Sequence, residues 1–131
     1  MRITADTNVL VRAAVADEPR QAAIAARALS AAEIVAITLP TLCEFAWVLA
    51  RGYRRPETEI AEAIRRLINS ATVQADRPAV EAGLVALEAG GDFADAVIAF
   101  EGRRLGGAVF TSFDKRAVDL IKAAGGETQL L

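Results

Sequence analysis

Three carboxylates stand alone in otherwise uncharged stretches of this chain. Asp6 is the only charge between Ile3 and Val11, and Asp95 the only one between Phe93 and Phe100. Glu44 is the only charge in the seventeen residues from Ile34 to Ala50. Removing a lone carboxylate from water is costly, so acids in apolar surroundings are normally paired or bound to a metal. No basic residue falls within any of the three stretches. Either distant arginines reach these acids, or the acids gather around one cation. A fourth acid, Asp114, stands just beyond a strand-like segment. Four carboxylates in one crevice repel strongly unless they are protonated or bridged by divalent ions. Hard oxygen donors favour Mg²⁺ or Mn²⁺ over softer metals.

Each acid also has an ordinary structural use. Asp6 can close an Asx turn and cap the helix that follows it. Asp92 and Asp95 sit where acids favour a helix dipole, and Asp114 sits where a helix N-cap is expected. Glu44 is harder to explain in this way. It lies past the first turn of its helix, flanked by Cys43, Phe45, Ala46 and Trp47, which leaves a buried Arg–Glu pair as its main alternative.

Composition narrows the chemistry further. The 131 residues include no histidine and one cysteine, Cys43. This excludes Ser-His-Asp and Cys-His nucleophilic sites, an imidazole base, a His/Cys zinc site and an internal disulfide. What remains is carboxylates, lysine, hydroxyls and any ion the carboxylates hold. Fifteen basic against seventeen acidic residues give a net charge of -2. A nucleic-acid role therefore has to rest on a local basic patch. The longest uncharged stretch, Ile34 to Cys43, contains Pro40 and is too short to span a bilayer. With Asp6 and Arg12 interrupting the N-terminus before any signal-length apolar run, a soluble cytoplasmic protein is expected.

The elements that must position the acids alternate between β- and α-type. Arg2–Ala5 reads as a strand ending at Asp6, and Asn8–Ala16 as the helix leaving it. Asp17-Glu18-Pro19 starts a second helix whose inward stripe is expected at Ile24, Ala28 and Leu29. Ile34–Thr38 is a buried strand, and Pro40 opens a helix running to about Arg51. Pro56 starts a helix with Ile60, Ile64, Leu67 and Ile68 at helical spacing. Thr72–Ala75 is a short strand, followed by a helix from Asp76-Arg77-Pro78 to Gly90-Gly91. Asp92–Leu105 is a helix with its lead-in, Ala108–Thr111 a strand, Lys115–Ala124 a helix, and Glu127–Leu130 an edge strand. No linker or repeat interrupts the order, so residues 1–131 read as one α/β domain around a mainly parallel sheet. Ligands of such sheets sit beyond the carboxyl ends of the strands, where Asp6, Glu44, Asp95 and Asp114 are all expected.

These residues resemble a known family. Asp6-Thr7-Asn8 after a short N-terminal strand looks like the opening D-T/S-N of PIN-domain nucleases. The acid in the second turn of the Pro40–Ala50 helix, the segment Asp92-Phe93-Ala94-Asp95-Ala96-Val97-Ile98-Ala99, and Thr111-Ser112-Phe113-Asp114 follow in family order. Within that family the chain is most similar to VapC-like toxins of toxin–antitoxin pairs. The resemblance implies a PIN-like three-layer α/β/α sandwich and an endoribonuclease dependent on Mg²⁺ or Mn²⁺. It also implies a homodimer held inactive by a cognate antitoxin, which allows a hetero-oligomer. By position, Asp6, Glu44, Asp95 and Asp114 would be the catalytic metal-site acids. Asp92 would be an auxiliary acid, sharing a helix face with Asp95 only if that helix begins early. Asn8 and Ser112 are candidates to orient carboxylates or water, or else make local turn and cap hydrogen bonds.

The reaction implied is hydrolysis of an RNA phosphodiester by an ion-activated water, leaving a 5′-phosphate and a 3′-hydroxyl, and it needs no histidine. Substrate contacts are less clearly marked. Arg51, Arg54 and Arg55, with Tyr53 to stack on a base, form the densest basic–aromatic patch, although cations also suit a helix C-terminus. Lys115 and Arg116 lie beside Asp114, whereas Arg65-Arg66 and Arg103-Arg104 read as solvated faces. Phe45, Trp47 and Leu49 read as core or dimer contacts. Two rival functions are a phosphatase with an aspartate nucleophile and a non-catalytic acidic module that binds a partner or senses a cation. The phosphatase usually shows D-x-D after the first strand, where this chain has Asn8 in the third position.

Overall fold

Alternation of short apolar strands with helices builds two compact units, residues 1–76 and 77–131. The computed structural model describes all 131 residues. The first unit runs β1 (Arg2–Thr4), α1 (Thr7–Val15), α2 (Pro19–Ala31), β2 (Ile34–Ala36), α3 (Leu39–Arg51), α4 (Glu57–Ile68) and β3 (Val73–Gln74). Its three strands form a parallel ladder in the order β1-β2-β3, with Ile3 opposite Val35 and Val35 opposite Val73. Helical crossovers are what a parallel ladder requires. The core is made by Leu10, Val35 and Ile37, by Leu42, Phe45 and Leu49 along α3, and by Ile60, Ile64 and Ile68 along α4. Each such side chain contributes about 1.5–3 kcal/mol on burial.

The second unit runs α5 (Arg77–Glu88), α6 (Phe93–Arg104), β4 (Val109–Ser112), α7 (Lys115–Ala123) and β5 (Glu127–Leu130). β4 and β5 pair in parallel, Val109 opposite Glu127 through Ser112 opposite Leu130. Helices α5 and α6 pack closely because Gly83 leaves room for the Phe93 ring. A Cβ at Gly83 would lie 2.4 Å from that ring. Phe93 itself is fully buried. Gly90, at φ +83°, takes the left-handed conformation that turns the chain between the two helices. The result is an α/β fold in which every strand pair is parallel. No helix is long and apolar enough to cross a membrane.

The expected order of elements holds throughout, with ends shifted by a residue or two. The acid that caps α2 is Glu18, whose carboxylate accepts the N–H groups of Arg20 and Gln21 at 3.3 and 3.0 Å. One local expectation is corrected. The inward face of α2 is centred on Ala25, whereas Ile24 is 56% exposed and Ala28 is also outside. The small Ala25 lets α1 and α2 approach, and the larger Ile24 then falls on the outer side.

Candidate functional site

In the first unit the chain leaves β1 at Thr4. Ala5 continues the ladder through its N–H to the Ala36 carbonyl at 3.1 Å, and Asp6 then caps α1. One Asp6 oxygen accepts the Thr7 N–H at 2.8 Å. The other oxygen makes no hydrogen bond, and the residue is exposed. Thr38 in turn caps α3, accepting the Thr41 N–H at 3.4 Å, which places Glu44 in the second turn. Asp6, Asn8 and Glu44 line one cavity of about 320 Å³, together with Arg12, Val48 and Tyr53. Asn8 and Arg12 are four residues apart on α1, as Glu44 and Val48 are on α3, so each pair shares a helix face.

Glu44 does not sit in the apolar surroundings that its neighbours in sequence imply. It is exposed, and its carboxylate has no hydrogen bond or ion pair, so the buried Arg–Glu alternative is overturned. The cause is the helical period: α3 turns Leu42, Phe45, Ala46 and Leu49 inward, which leaves positions 44 and 47 outside. Phe45 and Leu49 are thus core, while Trp47 is 61% exposed.

In the second unit α6 begins at Phe93, so Asp92 is its cap rather than a residue of its first turn. The Asp92 carboxylate accepts the Asp95 N–H at 3.0 Å. This brings two carboxylates to the start of α6, with the Asp95 carboxyl half-buried and free of hydrogen-bond donors. Burial, and then the nearby charges of Asp92 and Asp114, push the Asp95 pKa up to about 6. Asp114 caps α7, accepting the Ala117 N–H at 3.2 Å with one oxygen. Ser112 accepts the Asp114 N–H at 3.0 Å and so orders the turn that presents Asp114. Asp92 and Asp95 also line a cavity of about 410 Å³ whose walls are largely alanine, with Arg103 as its one cation.

The expected substrate cations are differently engaged. Lys115 is held by Asp119 at 2.7 Å, and Arg116 donates to the Gly90 carbonyl at 2.6 Å. Arg51 and Arg54 are exposed at the end of α3, where Arg54 takes a left-handed φ of 51°. Arg103 and Arg104 are not merely solvated: their guanidinium carbons lie 5.9 and 4.5 Å from the Phe100 ring centre. Sequence reasoning passed over Arg12 and Arg103 as site residues. The i, i+4 spacing from Asn8 could have marked Arg12; no local signal marks Arg103.

Asp6, Asp92 and Asp114 therefore share one design. Each spends one oxygen on a helix cap and keeps the other free, while Asp95 and Glu44 keep both. Carboxylate oxygens of this kind suit a hard divalent ion, and the Asp95 carboxyl is raised first by burial and then by the charges of Asp92 and Asp114. No three acidic or cysteine side chains converge closely enough to enclose an ion in this arrangement.

The family model of the PIN domain matches residues 3–124, through both units. The chain belongs to the PIN domain family. PIN domains are in general nucleases that use divalent metal ions, so this PIN domain has a nuclease-type fold. A search of curated proteins returned no match. In this PIN domain the free carboxylate oxygens belong to the N-caps of α1, α6 and α7, to the first turn of α6 and to the second turn of α3.

Proposed function

We propose that this PIN domain is an endoribonuclease that hydrolyses RNA phosphodiester bonds with Mg²⁺ or Mn²⁺. We further propose that it is the VapC-like toxin of a toxin–antitoxin pair, inhibiting translation in the cytoplasm until a cognate antitoxin binds. The observation that carries the nuclease reading is Asp95, a half-buried carboxylate without a donor, flanked by the charges of Asp92 and Asp114. The metal-site acids of this reading are Asp6, Glu44, Asp95 and Asp114, with Asp92 as an auxiliary acid. When bound, the ion lowers the pKa of a coordinated water and stabilises the charge that develops on the phosphate.

The chain's own residues do the positioning. Capping hydrogen bonds immobilise Asp6 and Asp114, so their free oxygens lose little further entropy on binding. Ser112 holds the Asp114 turn, and Asn8 lines the cavity beside Asp6, where its amide can orient a carboxylate or water. Single-domain behaviour of residues 1–131 and a homodimer that accepts antitoxin belong to the same proposal.

Purified protein incubated with structured RNAs and Mn²⁺ should cleave them, and EDTA or Asp6→Asn should abolish cleavage. Cleavage that survives EDTA would overturn the metal-dependent mechanism. Expression should be toxic to the host, and Glu44→Gln should relieve that toxicity. Toxicity equal to wild type would overturn the toxin role.

A further inference from the structure

We infer that Arg12 and Tyr53, tethered by Asp17, are the contacts that seat an RNA strand in the Asp6–Glu44 cavity; the assignment rests on the ribonuclease function proposed above. A polyanion approaching two carboxylates needs a compensating positive charge close by. Arg12 is the only cation lining that cavity, and Tyr53 the only aromatic residue. A guanidinium beside an aromatic ring is the pairing that holds single strands, one on a phosphate and the other against a base.

Asp17 sets the spacing of the two groups. One of its oxygens receives Arg12 Nη1 at 3.4 Å, and the other accepts the Tyr53 hydroxyl at 3.1 Å across thirty-six residues of sequence. The Arg12 side chain is 38% exposed, and that long contact is its only ion pair. Most of its five donors are therefore free for a phosphate. Tyr53 is half-buried, so its hydroxyl tether holds the ring against the cavity rather than in solvent. The turn that brings it there passes through the left-handed Arg54, after the Tyr53 N–H meets the Val48 carbonyl at 3.3 Å. Both contacts are thus organised before RNA arrives, which lowers the entropy lost on binding. An aromatic ring needs an unstacked base, so single-stranded RNA or a loop is the fitting ligand and a continuous duplex is not.

An exposed ion pair of this kind adds little to folding. Binding and stability can therefore be separated by experiment. The probe is a short mixed-sequence single-stranded RNA, with binding read by fluorescence anisotropy in Ca²⁺ and cleavage kinetics in Mn²⁺. Arg12→Ala should weaken binding about tenfold, as expected for one charge-assisted hydrogen bond. It should also reduce the slope of log affinity against log salt by about 0.7, the value for one phosphate contact on a single strand. Arg12→Lys should recover part of the slope. Tyr53→Ala should weaken binding about tenfold by loss of stacking, and Tyr53→Phe, which keeps the ring and loses the tether, by much less. KM should rise more than kcat falls in each case. Arg27→Ala, on the exposed side of α2, should change neither. Wild-type binding with unchanged affinity and salt slope in Arg12→Ala would overturn the clamp, as would an equal loss in Arg27→Ala. Wild-type protein that neither binds nor cleaves RNA would overturn the ribonuclease function itself.

Discussion

Replacing Asp95 with asparagine should stabilise the metal-free protein while destroying its activity. The Asp95 carboxyl is raised from 3.8 to about 6, first by burial and then by Asp92 and Asp114. Two pKa units correspond to about 3 kcal/mol at most, and partial exposure screens this to about 1–2 kcal/mol. Asp95 also gains about 0.3–1 kcal/mol from the N-terminus of α6, which asparagine gives up. The net expectation is a gain of about 1 kcal/mol for Asp95→Asn near neutral pH. The sign depends on pH, because a carboxyl raised in the folded state favours folding when protonated. That stability is complete below the unfolded pKa of about 4 and is lost as pH rises through about 6. Wild type and Asp95→Asn should therefore unfold at similar urea concentrations at or below about pH 4, diverge between about pH 4 and 6, and keep the full difference above that. With a urea slope of about 1–3 kcal/mol/M, the midpoint difference is about half a molar. Circular dichroism in EDTA reads this directly, and Mg²⁺ should then raise the wild-type midpoint without raising that of Asp95→Asn. An Asp95→Asn protein that is no more stable than wild type at neutral pH in EDTA would refute the reasoning, because the carboxylate would then be relieved by something other than a metal.

Other substitutions separate structure from chemistry at neighbouring positions. Asp114→Asn keeps a good cap and should change stability by a few tenths of a kcal/mol while cleavage falls, whereas Asp114→Ala should also lose about 1 kcal/mol in urea unfolding. Glu44→Gln should leave the urea midpoint unchanged within about 0.5 kcal/mol, because the side chain is exposed and unpaired, yet should lower cleavage at least tenfold. Gly83→Ala pushes a methyl group to 2.4 Å from the Phe93 ring and should cost about 1–3 kcal/mol, read as a fall in melting temperature. A melting temperature equal to wild type would show that α5 and α6 can separate at no cost.

Much of this molecule is written in interactions that span only a few residues. Strand β1, the caps Asp6, Asp92 and Asp114, the proline-led starts of α2 and α3, and the glycine ends of α5 and α6 are all legible in sequence. Capping and turn formation join positions no more than three or four apart, so the amino-acid order alone specifies where the elements begin and which acids stand at their starts. Which way a side chain faces is decided by what packs against it. The alanine-rich α2 offers several equivalent apolar faces, and only the approach of α1 selects Ala25 over Ile24. Glu44 has wholly apolar neighbours in sequence yet is exposed, because α3 turns Leu42, Phe45, Ala46 and Leu49 inward instead. The raised Asp95 pKa depends on Asp114, nineteen residues away, and the Arg12–Asp17–Tyr53 link joins α1 to the turn after α3. Such features depend on distances between chain segments that no local rule sets, so packing of the folded elements alone places one carboxylate near another and the Tyr53 hydroxyl on Asp17.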